Sequence, residues 1–176
     1  MERFLASPAV LSLFPSSPSA PIPSYADLMR HIRETQPLPA IESHTQILMA
    51  LLDQVYHSSP SGLSTTAELH KLQDTIGLFP SVPNTAWQTH FTHLYGYGAT
   101  YYSYLFCRAI AKKVWKTLFE PNPLDRNAGE KFKEEVLKYG GGKEPWEMLG
   151  GLLNIPELAA GDRKAMELVG KWGVEQ

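Results

Sequence analysis

Five tyrosines fall within ten residues of one another, and their side chains could do chemistry on a peptide. They are interleaved with Gly96, Gly98 and Ala99, and they are Tyr95, Tyr97, Tyr101, Tyr102 and Tyr104. On a helix, Tyr97, Tyr101 and Tyr104 share one face because they are spaced by four and three residues. A tyrosine hydroxyl can donate to an oxyanion while its ring packs on a peptide, and glycines allow close backbone approach. A core face of tyrosines with surface hydroxyls is the alternative, which the chemistry alone favours.

The six histidines do not have the spacing of a metal site. A catalytic zinc site needs three protein ligands, and its usual helical device is two His four apart with a Glu after the first. No two histidines here are four apart; they are His31, His44, His57, His70, His90 and His93. His90 and His93 are three apart, but Phe91 stands where the Glu should be. We predict no metal ligand in this chain and interpret the histidines as structural or solvated groups.

The remaining reactive or cationic side chains indicate no second site. Cys107 lies on a predicted helix, and we expect its thiol to be buried as a small apolar group rather than to act as a nucleophile. Gly96 and Gly98 lack the preceding strand of a phosphate-binding loop, and 140–142 (Gly-Gly-Gly) is typical of a helix end. A basic strip at intervals of four residues is interpreted as a solvated face: Arg108, Lys112 and Lys116.

Composition excludes several classes of partner. Sixteen Lys and Arg against eighteen Asp and Glu give a net charge of −2, so there is no electrostatic case for nucleic acid or an anionic membrane. No apolar run reaches the roughly 18 to 20 residues that span a bilayer. One cysteine excludes an internal disulfide and suits a reducing compartment. The N-terminal region is rich in Pro and Ser, but it holds one arginine, Arg3, so it is not a convincing transit peptide.

The tyrosines must be positioned by helices, because apolar spacing predicts helices throughout and little strand alternation. We predict an all-α chain and treat 1–176 as one domain or part of one. In the first half of the chain we expect an apolar helix or helix fragment over Met1–Phe14, a Pro/Ser-rich loop over 15–24, a helix capped by Ser43 and ending at His57, and a helix opened by a Thr65–Glu68 capping box. In the second half we expect a glycine turn followed by a long helix over 87–119, and helices starting near Asn127, at Pro145 and over Pro156–Trp172.

The tyrosine segment also resembles a known family. Residues 91–105 (Phe-Thr-His-Leu-Tyr-Gly-Tyr-Gly-Ala-Thr-Tyr-Tyr-Ser-Tyr-Leu) closely resemble the glycine-rich loop of the thimet oligopeptidase family of zinc metallopeptidases. Their form is most similar to the mitochondrial intermediate peptidase branch. Residues 51–57 (Leu-Leu-Asp-Gln-Val-Tyr-His) resemble a family helix, and 140–145 (Gly-Gly-Gly-Lys-Glu-Pro) resemble its C-terminal pattern. The resemblance extends over residues 1 to about 155, and it implies the C-terminal segment of a two-lobed helical peptidase.

The resemblance implies roles for particular residues. In the family the glycine-rich loop binds substrate backbone and helps stabilise the tetrahedral intermediate, so His93 and Tyr104 are expected to be catalytic. The expected substrate-binding residues are His93, Gly96, Tyr97, Gly98, Tyr101 and Tyr104. The loop is one residue shorter before Tyr97 than in the wider family, which leaves Tyr95 as a rival for that contact. The zinc-binding motif and the third ligand of the family have no counterpart in this sequence.

The resemblance therefore implies part of a zinc metalloendopeptidase that removes N-terminal octapeptides from precursor proteins imported into the mitochondrial matrix. Zinc belongs to the full-length family; none is expected for this chain alone, which we predict to be inactive. The expected partners are a peptide or precursor-protein substrate and the missing N-terminal part of the peptidase. The alternatives are a non-catalytic helical module that binds a peptide or partner, and an unstable helical remnant with no activity.

Overall fold

The computed structural model describes residues 2–14, 23–35, 39–58 and 62–174. All regular structure in these ranges is helical, which confirms the all-α class. The α-helices are α1 (Glu2–Leu5), α2 (Pro8–Leu11), α3 (Tyr25–Thr35), α4 (Pro39–Ser58), α5 (Thr65–Ile76), α6 (His93–Gly96), α7 (Ser103–Val114), α8 (Arg126–Glu135), α9 (Pro145–Leu153) and α10 (Arg163–Val174). None of the helices in the described ranges is both long enough and apolar enough to cross a bilayer.

The chain divides into two compact units. The first, residues 38–107, is called the tyrosine unit because it contains the five clustered tyrosines; the second is formed by 1–37 and 108–176. In the tyrosine unit α4 packs along α5, and Leu52 and Leu69 are fully buried. A second apolar cluster lies where the tyrosine segment meets α4 and consists of Met49, Ala50, Phe91, Tyr101 and Leu105.

Of the two helix starts predicted in the tyrosine unit, that of α4 was wrong by several residues and that of α5 by one. Helix α4 begins at Pro39, so Ser43 lies inside its first turns and does not cap it. Helix α5 begins at Thr65, and its cap is Ser64, whose hydroxyl accepts the Ala67 N–H at 3.4 Å. Proline suits the first position of a helix because it has no N–H to satisfy, which is why α4 can start earlier than the Ser43 signal suggests.

The second unit has its core around α9. The Glu144 carboxylate caps this helix by accepting the Trp146 N–H at 2.6 Å, and Pro145 occupies the first turn as predicted. Helix α8 packs against α9 and starts at Arg126, since the Asp125 side chain caps it. The most deeply buried side chains of this unit are Leu152, Leu158, Ala165 and Val169.

Two predicted segments are broken in the structure. The apolar N-terminus forms the short helices α1 and α2 rather than a continuous one, and most of the Pro/Ser-rich loop lies outside the described residues. The stretch predicted as one helix over Pro156–Trp172 is a 3-10 turn, Pro156–Ala160, followed by α10. Gly161 separates the two with a left-handed φ of +57°, a conformation that ends a helix.

Candidate functional site

The candidate site is built on a short and mostly irregular segment of the tyrosine unit. A 3-10 turn, Trp87–His90, leads into α6, and residues 97–102 then connect α6 to α7. The ring of Phe91 lies between those of Trp87 and Tyr101, with centroids 5.0 Å away on either side. Since Phe91 also packs against the Met49 and Ala50 side chains of α4, it anchors the segment to the helix.

His93 lies at the centre of the tyrosines. Its imidazole is 6.0 Å from the Tyr97 ring, 5.5 Å from the Tyr101 ring and 6.0 Å from the Tyr104 ring. The Tyr104 hydroxyl and His93 Nε2 are 3.2 Å apart, and the tautomer of the imidazole decides which of them donates. The structure therefore brings together the histidine and the three tyrosines that the sequence singled out.

These tyrosines differ in what they offer to a ligand. Tyr97 and Tyr104 are 68% and 49% exposed, so their rings and hydroxyls can meet a peptide. Tyr101 is 7% exposed, and its hydroxyl donates to Gln46 Oε1 at 3.1 Å. Tyr95, the rival of Tyr97, is 99% exposed, whereas the Tyr97 ring lies beside His93.

The tyrosines do not share one face of a helix, as the sequence had predicted. Tyr97 and Tyr101 both precede α7, which begins at Ser103, so the regular spacing of a helix does not apply to them. Their rings converge because the backbone turns between Gly96 and Tyr101, with Ala99 in the left-handed region at φ +62°. This conformation is unfavourable for a residue with a Cβ, so contacts from elsewhere must hold it.

Those contacts come from the end of α4. The Asp53 carboxylate accepts the N–H groups of Ala99 and Tyr101, each at 2.9 Å, and the Gln54 side chain donates to the Ala99 carbonyl at 3.0 Å. A Cβ on Gly98 would overlap the imidazole of His57. Gly96, by contrast, faces open space. The sequence signal for these contacts is the Asp-Gln-x-x-His pattern in 53–57, which on its own indicates a resemblance but no role.

The Cys107 thiol and the side chains that could bind a metal ion were the other candidates for chemistry. Cys107 is exposed, so the prediction of a buried thiol was wrong; its position on α7 faces away from the Ala109 side that is buried. Among the described residues, no group of three or more His, Cys, Asp or Glu side chains could hold a metal ion.

A comparison with protein families decides the assignment. The model of Peptidase family M3 matches residues 1–168. The chain belongs to this family. Members of family M3 are metallopeptidases, so the resemblance carried by the tyrosine segment is confirmed at the level of the family. The described residues do not fit a resident catalytic metal, because they supply no ligand set.

Curated relatives of this M3 chain come from several fungi. It is 51% identical over 182 residues to the mitochondrial intermediate peptidase of Schizophyllum commune and 52% identical over 180 residues to that of Laccaria bicolor. It is 49% identical over 197 residues to mitochondrial intermediate peptidase 1 of Cryptococcus neoformans. Each match covers 99% of the chain but 22% to 26% of the relative, so the chain spans about a quarter or less of their length.

Proposed function

We propose that this chain forms the substrate-binding surface of a zinc metalloendopeptidase in the mitochondrial matrix, one that removes N-terminal octapeptides from imported precursor proteins. The observation that best supports the proposal is the pair formed by the Tyr104 hydroxyl and His93 Nε2, 3.2 Å apart and beside the exposed Tyr97 ring. The fungal relatives, which are mitochondrial intermediate peptidases, support a peptidase activity and a mitochondrial location.

Each side chain has a distinct task in this proposal. The Tyr104 hydroxyl donates to the scissile carbonyl oxygen of the bound peptide and to the oxyanion that develops on it, and His93 orients both this hydroxyl and the substrate. The Tyr97 ring packs on the peptide, since aromatic rings bury large apolar area at low cost in conformational entropy. Tyr101 is buried, and it supports the rings of His93 and Tyr104, with which it is in contact.

The zinc ion must be held by other residues. The described residues offer no set of ligands for it. The expected partner is therefore the part of the peptidase that carries the zinc motif, and hydrolysis requires both parts. Purified chain supplemented with zinc is accordingly expected to bind peptides without cleaving them.

Binding of a fluorescein-labelled octapeptide, taken from the N-terminus of an imported precursor and measured by fluorescence anisotropy, tests the proposal. Tyr104→Phe removes one hydroxyl donor, so we expect the Kd to rise roughly 2- to 10-fold. Tyr102→Phe is the matched control on the same segment, since the Tyr102 ring packs on Phe106 outside the His93 cluster. Tyr97→Ala should weaken binding, whereas Tyr95→Ala should not, because the Tyr97 ring lies beside His93.

Two results would contradict the proposal. One is an octapeptide affinity that Tyr97→Ala and Tyr104→Phe leave unchanged; the other is no measurable binding by the folded wild-type chain. A non-catalytic peptide-binding module is the second candidate, favoured by the lack of a ligand set among the described residues. It predicts the same binding results, and the size of the endogenous protein separates the two.

A further inference from the structure

The carboxylate of Asp53 is completely buried, yet no part of the proposed chemistry uses it. Both its oxygens accept hydrogen bonds from the tyrosine segment: Oδ1 from the Ala99 N–H and Oδ2 from the Tyr101 N–H. The same Oδ1 lies 3.0 Å from His57 Nδ1. Burying a carboxylate is costly unless its oxygens are satisfied, so these donors explain how Asp53 is tolerated at this position.

The end of α4 also determines how closely the tyrosine segment can approach Asp53. His57 Nδ1 faces two oxygen acceptors, the Asp53 carboxylate and the Asp53 backbone carbonyl at 2.8 Å, so this nitrogen carries a hydrogen. The other side of the imidazole occupies the space that a Cβ on Gly98 would need. A glycine at position 98 therefore lets the backbone reach Asp53.

We infer that Asp53 is a positioning residue, whose buried carboxylate fixes the backbone at Ala99 and Tyr101 and thereby sets the spacing of the His93 and Tyr104 side chains. The inference rests on the proposed function for its link to peptide binding. The connection runs through Tyr101, because its N–H is held by Asp53 and its ring contacts both His93 and Tyr104. A segment already held in its binding geometry binds more tightly, since less ordering remains to be done on association.

Only a side chain whose polar atoms are all hydrogen-bond acceptors can hold these N–H groups. Three N–H donors converge on the carboxylate, and an ionised Asp offers oxygens alone. Asparagine has nearly the same shape but replaces one oxygen with an NH₂ group, which would face the N–H of Ala99 or Tyr101. Asp53→Asn therefore removes one of the two backbone hydrogen bonds with little change in volume.

Amide hydrogen exchange and octapeptide binding test the inference on the full chain. In Asp53→Asn we expect the Ala99 or the Tyr101 amide, whichever faces the new NH₂ group, to exchange about tenfold faster or more, with Leu69 in the unit's core unchanged. The Kd of the labelled octapeptide should rise about tenfold. The matched control is Asp74→Asn, because Asp74 likewise accepts a backbone N–H, that of Ser81 at 2.7 Å. This control should alter neither the exchange at Ala99 and Tyr101 nor the octapeptide affinity.

A double-mutant cycle keeps the inference testable if Asp53→Asn does not fold. Gly98→Ala should accelerate exchange at Ala99 and Tyr101 by pushing the segment away from His57. Adding His57→Ala should reduce that acceleration, since the truncated side chain leaves room for the new methyl group. Strictly additive effects in the cycle would overturn the inference.

The outcomes also separate this inference from the proposed function. Unchanged exchange at Ala99 and Tyr101 in folded Asp53→Asn would overturn the inference, and so would faster exchange with unchanged octapeptide affinity. Faster exchange throughout the unit, Leu69 included, would show a general structural role and overturn it as well. If the wild-type chain binds no octapeptide, the proposed function fails, while the exchange measurements still decide whether Asp53 positions the segment.

Discussion

Tyr56 ties the end of α4 to the start of α5 through a single hydroxyl. The hydroxyl donates to the Thr65 carbonyl oxygen at 2.6 Å. Burial raises the pKa of Tyr56 to about 12, and the nearby Glu68 carboxylate adds to the effect by disfavouring a second negative charge. The neutral phenol is thus the form that the folded unit prefers.

This preference predicts a loss of stability in alkaline solution. The pKa is higher in the folded chain than in the unfolded one, so the stabilisation is complete below pH 10 and declines as the pH rises towards 12. Tyr56→Phe should lower the free energy of unfolding by about 1 kcal/mol at pH 7. The gap between wild type and variant should narrow above pH 10 in urea denaturation. A constant gap across this range would contradict the assigned pKa.

For single residues, the sequence predicted positions but not geometry. His93, Tyr97 and Tyr104 could be proposed as site residues from the sequence because the resemblance indicated their positions. Their geometry could not, because the left-handed φ of Ala99 and the buried Asp53 depend on contacts between residues 46 to 48 positions apart. Cys107 was misplaced for a similar reason: residue type predicts average burial, whereas the face of α7 on which a residue lies decides the individual case.

Two glycines of the second unit have opposite roles in neighbouring elements. Gly161 ends the 3-10 turn with φ +57°, and a Cβ there would lie 2.6 Å from Cδ1 of Trp146. Gly170 lies within α10, and a Cβ there would meet nothing within 4 Å. Both lie in the stretch predicted as one helix, but only Gly170 occupies a helix interior.

The same substitution should therefore have opposite effects at these two positions. Gly161→Ala is expected to destabilise the chain by roughly 2 to 4 kcal/mol, because left-handed strain and the clash with Trp146 add together. Gly170→Ala should stabilise it by about 0.5 to 1 kcal/mol through better helix propensity. Free energies of unfolding from urea titrations of both variants provide the measurement. If both variants change the free energy of unfolding in the same direction, the assignment of a helix break at Gly161 is wrong.

At the scale of elements, helix existence was predictable and helix boundaries were less so. Pro145 marked the start of α9 correctly because a proline at the first position follows from its own geometry. Ser43 and Thr65 were wrong predictions of helix caps. Residues of the capping types are common inside and beside helices, so residue type alone does not identify the one that caps.

The molecule as a whole exposes several large apolar side chains. In the tyrosine unit a groove of about 300 Å³ has Leu78, Phe79 and Val82 among its lining residues, and these are 53%, 73% and 61% exposed. Apolar surfaces of this kind favour association or aggregation. The relatives are four to five times longer than the chain, since it spans 22% of most of them.

The size of the endogenous protein tests the proposal at this scale. An antibody raised against residues 120–150 is expected to detect a band roughly four to five times 19.7 kDa, because the proposed peptidase needs a zinc-binding part in addition to this segment. Recombinant chain on the same blot gives the position of the 19.7 kDa species. A band at that position alone would favour the non-catalytic module over the enzyme.

The hydrogen bonds of Asp53 also have a consequence for the order in which the chain folds. They join residues 46 and 48 positions apart, whereas the contacts within α4 and α5 are local. Closing so long a loop costs entropy that local helix formation does not, so the helices can form before the tyrosine segment docks. We therefore expect the aromatic surface around His93 to be among the last parts of its unit to assemble during refolding and among the first to come apart during unfolding.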